Sequence, residues 1–238
     1  MRAERPAGET GPRAQDDHFR HQALGVVFQV RGRLSVLLWK RAAPPFEGHW
    51  SLPGGPLAAD ERLGASASRH LATKVDITGI AHLEQLETRS DPARDPRGRV
   101  LATAYLALVP TNTRPRVPAD TAWHAVDALP ATAFDHGSII ASARERLRAK
   151  LSYTNIGFAL APETFTVAQL RDIYAAALGH PVSATNVQRI LTRRGVITPT
   201  ADTLRPAAVG GRPATLYRFA NRALVVTNPL AAFRPPTA

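Results

Sequence analysis

Two apolar runs, ALGVVFQV (residues 23–30) and LSVLLWK (residues 34–40), stand with only RGR between them. Short runs this rich in Val and Leu, bounded by a glycine-containing turn, have the length and composition of strands, and their closeness makes them a β-hairpin. A loop, RAAPPFEGHW, and a glycine turn, PGG, follow. Residues 57–75 then carry a helical pattern in which Leu63, Ala67 and Leu71 recur at four-residue steps on one face. Residues 84–88 and 100–110 read as two further strands around the loop RSDPARDPRGR, and VLATAYLALV within the second reads as buried. PRVPADTAWHAV is a Pro-rich connection leading into another strand, and SIIASARERLRAKL (residues 138–151) is a helix. This order predicts an α+β chain whose first part is an α/β/α sandwich on a mixed sheet.

The pattern changes past residue 152. YTNIGFALAPET reads as a connector. Thr166 and Gln169 stand at the N-cap and N3 positions of a helix, the spacing of a capping box, with Val167, Leu170, Tyr174 and Leu178 on one face and Gly179 at its end. After HPV, Ser183 caps a second helix, ATNVQRILTRR, with Val187, Ile190 and Leu191 as its apolar face and Gly195 closing it. VITPT and ATLYRF are short strands joined through a loop that holds GGRP. Helix, turn, basic helix and wing predict a winged helix-turn-helix. The expected organisation is a disordered segment at 1–20, a first domain at 21–152, a linker at 153–165 and the winged helix at 166–238.

Charge says which half meets a polyanion. The net charge is +11, carried by 27 Arg against 3 Lys. Residues 1–150 hold 21 basic and 16 acidic side chains; residues 151–238 hold 9 and 3. The one-sided second part is the better match for nucleic acid. No apolar run approaches the ~18 residues of a membrane span, and the N-terminus has no apolar signal core. Without cysteine there is no disulfide framework and no thiolate metal site. The expectation is a cytoplasmic protein without cofactor or membrane contact.

The helical stretch at 57–75 lies in SLPGGPLAADERLGASASRHLATKVDI. Positions 70, 73 and 74 share one helix face. Carboxylates there would form a hard oxygen site for Mg²⁺, but the residues are His70, Thr73 and Lys74. In its frame the segment resembles the Nudix hydrolase box, G-x5-E-x7-R-E-U-x-E-E-x-G-U, where U is bulky and apolar. Gly55, Glu61, Arg69, Leu71 and Ile77 fall on its positions, while its metal-binding Glu fall on His70, Thr73 and Lys74 and its second Gly on Asp76. The resemblance implies the Nudix fold. The departures imply no catalytic residues and no metal, with Glu84 and Glu87 as the carboxylates left to replace the lost ones. Lys74 is either a solvated helix charge or, with Arg69, a substitute for the metal's charge beside a diphosphate.

LEQLETRSDPARDPRGRV, residues 83–100, resembles the segment after the box in ADP-ribose pyrophosphatases. Arg97 and Arg99 are its phosphate candidates, Trp50 and Phe46 are candidates for stacking on adenine, and Arg41 is a further anion contact. The expected effector-binding residues are Arg41, Trp50, Glu61, Arg69, Lys74 and Arg97. On the basic helix and wing, Ser183, Thr185, Asn186, Gln188, Arg189, Arg193, Arg194 and Arg212 are the expected DNA contacts. Asn and Gln match adenine edges, and Arg matches guanine or phosphate. YTNIGFALAPETFTVAQL, the basic helix and GGRPATLYRF together resemble the Nudix-related transcriptional regulators of NAD metabolism, the NrtR family. That likeness implies a homodimeric repressor on a palindromic DNA operator, with ADP-ribose or a related NAD-derived nucleotide as effector. Two alternatives stay open: an ADP-ribose or nucleoside-diphosphate hydrolase with an accessory tail, and an RNA-binding module.

Overall fold

The computed structural model describes residues 19–77, 79–204 and 213–228. The expected disordered segment therefore lies, up to residue 18, outside the described residues.

The hairpin forms as β1 (Arg20–Arg31) and β2 (Arg33–Lys40), antiparallel, with Phe28 opposite Val36 and Arg31 opposite Arg33. Gly32 makes the turn at φ 76°, a left-handed conformation that a side chain disfavours. The second edge of β1 pairs parallel with β6 (Val100–Leu108), which pairs antiparallel with β5 (His82–Arg89). Short strands β3 (Trp50–Ser51) and β7 (Thr121–Ala125) pair with β2, and β4 (Gly54–Pro56) pairs with β1. The result is a seven-stranded mixed sheet with the path β3-β2-β1-β6-β5.

Because β1 and β2 are central, both their faces must be covered. Helix α1 (Leu63–Val75) covers one, burying Leu71 and Val75 against Val27, Leu37 and Ala107. Helix α2 (His136–Tyr153) covers the other, with Ile139, Ile140 and Leu147 against Val26, Phe28, Leu38 and Leu106. Each such side chain, fully buried, contributes about 1.5–3 kcal/mol. This is the expected sandwich.

Helix α1 is shorter than the pattern suggested. Residues 57–62 stay outside it, because the Glu61 carboxylate takes the backbone N–H of Ala58 at 2.9 Å and Arg62 is extended at the N-cap. At the other end Asp76 is left-handed, φ 52° and ψ 39°, and its N–H closes the helix on the Leu71 carbonyl. A glycine suits that conformation; Asp is among the few side chains that tolerate it.

The stretch expected as a linker is instead part of the core. Residues 154–161 are buried, and Ile156–Ala159 form a 3-10 turn. Phe165 exchanges two backbone hydrogen bonds with Tyr217, and its ring packs on Phe219. Helix α3 (Val167–Leu178) begins with the full capping box, Thr166 and Gln169 each receiving the other's backbone N–H, and ends at left-handed Gly179. Helix α4 (Ala184–Arg193) follows, then the antiparallel wing of β8 (Ile197–Leu204) and β9 (Ala214–Phe219). Two details differ from expectation. The Ser183 side chain makes no cap hydrogen bond. Ile190 is 38% exposed, so Val187 and Leu191 alone form the buried face of α4. The core around α2 runs unbroken through Leu151, Phe158 and Phe165 to Leu170, Leu191 and Phe219.

Candidate functional site

The box helix and the glycine turn face each other closely enough to settle most of their polar chemistry internally. A Cβ on Gly55 would lie 2.4 Å from Cε1 of His70, so only glycine fits beneath that ring. His70 is buried, and its Nε2 donates to the Pro56 carbonyl at 3.0 Å. Burial pushes its pKa down, which keeps the ring neutral. Thr73 turns its hydroxyl back to the Arg69 carbonyl at 2.8 Å. Lys74 reaches the Gly54 carbonyl with Nζ at 2.7 Å. The carbonyl oxygens of Gly54 and Pro56 are donors of the hard kind a divalent cation takes, and here an ammonium and an imidazole N–H hold them. This set of residues does not fit Mg²⁺. Glu61 accepts from Arg69 Nε at 2.9 Å and again from Nη2, and that pairing holds its carboxyl down at about 2. Glu61 and Arg69 thus satisfy each other and brace the turn.

Beside the turn, cations alternate with aromatic rings. Lys74 Nζ lies 5.1 Å from the centroid of Trp39, and the Arg41 guanidinium lies 6.0 Å from the same ring. Arg41 is also 5.0 Å from the Phe134 ring, which Arg97 approaches at 5.6 Å. Arg97 is bound through two nitrogens to buried Asp95. Arg41 reaches only the backbone carbonyls of Pro45 and Ala43, and Lys74 only that of Gly54; among the described residues no carboxylate pairs with either. Both have pKa values lowered first by desolvation, then by like charge: Arg97 acting on Arg41, partly offset by Asp95, and Arg41 and Arg69 acting on Lys74. Two cations close to one indole, neither in ion-pair contact with a carboxylate, are suited to an anion carrying a planar group.

The structure therefore gathers Arg41, Lys74 and Arg97, adds Trp39 and Phe134, and leaves Glu61 and Arg69 as a brace. Trp39 was readable by strand alternation with Leu37. Phe134 was not, since it depends on a left-handed backbone at φ 52°. Trp50 is not part of this group. It is the partner of Lys40 in the sheet, faces the α2 side and packs its ring on His124 at 4.2 Å. Phe46 touches Phe134 edge-on at 4.8 Å. Arg99 donates to the Ser90 carbonyl and covers Phe19. Glu84 and Glu87 cannot complete the box helix. Glu84 accepts from His82 and from Lys150 of α2, and Glu87 pairs with Arg89, which reaches Ser142 of α2, all on the far face of the sheet. Arg94 escaped sequence reading. It is buried and paired with Asp135, the residue that begins α2, which ties the loop at 90–99 to that helix.

On α4, Thr185, Gln188, Arg189, Thr192 and Arg193 are exposed. Gln188 donates to the Tyr217 hydroxyl of the wing at 2.7 Å, and Arg189 to the Asn186 side chain at 3.3 Å. Arg193 makes no hydrogen bond or ion pair among the described residues. No acidic residue stands on this helix, so the only charges on its outer face, those of Arg189 and Arg193, are positive. Ser183, Asn186, Ile190 and Arg194 line a groove of about 390 Å³ against Leu151 and Ser152 at the end of α2. Arg194 in particular turns away from the exposed face and donates to the Ser152 carbonyl. Arg212 lies outside the described residues. A wider cleft of about 650 Å³ separates the β1–β2 turn and Arg144 of α2 from Arg171, Asp172 and His180 around α3.

Residues 157–219 match the NrtR DNA-binding winged helix domain, and residues 18–143 match the NUDIX domain. The ADPR responsive transcriptional repressor NtrR of Acinetobacter baylyi is 34% identical over 202 residues, which span 82% of this chain and 79% of that one. Shewanella oneidensis NrtR, crystallised with a 27mer DNA, is similar at TM-score 0.70 and 31% identity, over 83% of this chain and 92% of the other. The NUDIX domain of Shewanella oneidensis NrtR, cocrystallised with ADP ribose, is similar at TM-score 0.50 and 34% identity, over 58% and 93%.

Proposed function

This chain belongs to the NrtR family, in which a Nudix domain is joined to a DNA-binding winged helix, and from that premise we propose that it is a transcriptional repressor whose Nudix domain senses a nucleotide. The observation that carries this reading is the unbroken core from the sheet through α2 into α3, α4 and the wing. A domain that shares its core with the DNA-reading unit cannot change its packing without moving that unit.

In this reading α4 enters the major groove of a palindromic operator, as two-fold dimers of such helices do. Arg189, Gln188 and Thr185 reach base edges, and Arg193 and Arg212 reach phosphates. The effector is ADP-ribose or a related NAD-derived nucleotide, with its diphosphate at Arg41 and Lys74 and Arg97 beside them. The chain is a cytoplasmic homodimer acting on genes of NAD biosynthesis or salvage. It does not hydrolyse its effector, because the groups on the box helix are a buried imidazole, a hydroxyl and an ammonium, none of which activates water through a metal. Nucleotide binding favours one placement of the winged helices over another and so alters operator affinity. Titrating the protein against upstream regions of NAD-biosynthesis genes, with and without ADP-ribose, tests target and effector together. Operator affinity that ADP-ribose leaves unchanged sinks the sensing half of the reading.

A further inference from the structure

We infer that Lys74 is a resident cation which takes the place of a divalent metal, so that the effector's diphosphate is held without Mg²⁺. The inference rests on the sensing reading above and specifies how that site works.

Four observations converge. The Lys74 ammonium is bound to the Gly54 carbonyl, at the junction of the glycine turn and the box helix. His70 donates to the neighbouring carbonyl, that of Pro56, so both oxygens already accept from side chains of the box helix. The glutamates nearest in sequence are spent elsewhere: Glu61 on Arg69, and Glu84 and Glu87 on the opposite face of the sheet. Lys74 and Arg41 both stand close to the Trp39 ring, with no carboxylate in ion-pair contact among the described residues. Two such cations repel each other until an anion arrives, and the relief of that repulsion adds to its binding. An ammonium has three donors. One is used on Gly54, which leaves two for phosphate oxygens while the carbonyl holds the chain in place.

The test is calorimetric titration of the full-length protein with ADP-ribose, in EDTA and in millimolar Mg²⁺. The wild type is expected to bind equally in both. Lys74→Met keeps an unbranched apolar chain but removes the charge, and should lose about tenfold in affinity or more in both buffers, the scale of one charge-assisted hydrogen bond. Lys74→Arg should retain most of the affinity. Lys74→Glu should bind poorly in both buffers, since one carboxylate beside a buried imidazole does not make a Mg²⁺ site. Thermal melts of each variant separate a loss of fold from a loss of binding. Wild-type binding that requires Mg²⁺, or a folded Lys74→Met that binds like the wild type, overturns the role of Lys74 and leaves the sensing reading standing. No ADP-ribose binding by the wild type in either buffer overturns the sensing reading, and this inference with it.

Discussion

Arg194, at the C-terminal end of α4, donates through Nη1 to the carbonyl of Ser152, 2.8 Å away in the last turn of α2. At its other end α2 begins beside Phe134, whose ring is close to both Arg41 and Arg97, and at Asp135, which pairs with Arg94. One 18-residue helix therefore touches the candidate nucleotide site with its first turn and the candidate DNA-reading helix with its last. Arg194→Ala should lower stability by only about 1 kcal/mol, the worth of one exposed hydrogen bond to a charged donor. It should reduce the effect of ADP-ribose on operator affinity much more than it reduces that affinity itself. Paired binding isotherms would show it, and an effector response of wild-type size would mean that the coupling runs elsewhere.

Asn155 is the polar centre of the segment between the two halves. Its amide donates to the carbonyls of Asn221 and Ala223, and its oxygen accepts from the Val225 N–H, all within 3.0 Å. The side chain is buried, so removing it strands three backbone groups. Asn155→Ala should cost about 2–4 kcal/mol, because each buried group left unpaired loses hydration it cannot regain. Urea denaturation followed by circular dichroism would measure this. A cost below about 1 kcal/mol would show that water replaces the clamp.

Acid should destabilise the protein in two stages. His136 is wholly buried, and desolvation pushes its pKa down to about 3 against an ordinary 6.5; its Nδ1 accepts the Leu52 N–H at 3.0 Å. The unfolded chain takes up this proton more readily than the folded one, so stability falls as pH drops from about 6.5 towards 3. The Glu84 carboxyl is held at about 2: burial works against ionisation, and the hydrogen bonds from His82 and Lys150 outweigh it. Its contribution is complete above the ordinary 4.5 and is lost as pH falls through about 2. His136→Gln should flatten the first stage and Glu84→Gln the second in melting temperatures recorded across pH. If the pH profile of His136→Gln parallels that of the wild type, the first assignment is wrong.

Arg189 stands on the exposed face of α4, held loosely by Asn186. Arg189→Ala should weaken operator binding by about 1–3 kcal/mol and relax preference at one base position. Arg193→Ala should instead weaken all DNA alike and reduce the salt dependence by about one charge. Gel shifts on operator and scrambled duplexes at two salt concentrations distinguish the two roles, and matching effects of both variants on both duplexes would reject base reading by Arg189.

Much of this was legible along the chain. Val and Leu runs around a glycine turn can bury themselves in few ways other than as a hairpin, and a Thr-x-x-Gln spacing closes a capping box through local bonds alone. The loss of the carboxylates was equally plain, since three positions on one helix face need no tertiary contact to be counted. What the chain does not spell out is a contact whose partner lies far off in sequence: β3 turns Trp50 to the α2 side against His124, and Arg194 donates to Ser152 of α2. The supposed connector at 153–165 carries apolar residues with no clear period, and its burial depends on β9 and the chain beyond it coming back to cover it.

The sequence by itself determined the elements, the two-part architecture and the absence of carboxylates from the box helix, because these rest on spacing and chemical type within a few turns of chain. Only the tertiary structure decided which cations stand unpaired. Arg69, Arg94 and Arg97 are neutralised by Glu61, Asp135 and Asp95, while Arg41 and Lys74 gather near Trp39 without a carboxylate in ion-pair contact among the described residues. Charge pairing depends on distances of a few ångströms between groups on separate elements, and those distances exist only once the sheet has brought the elements together.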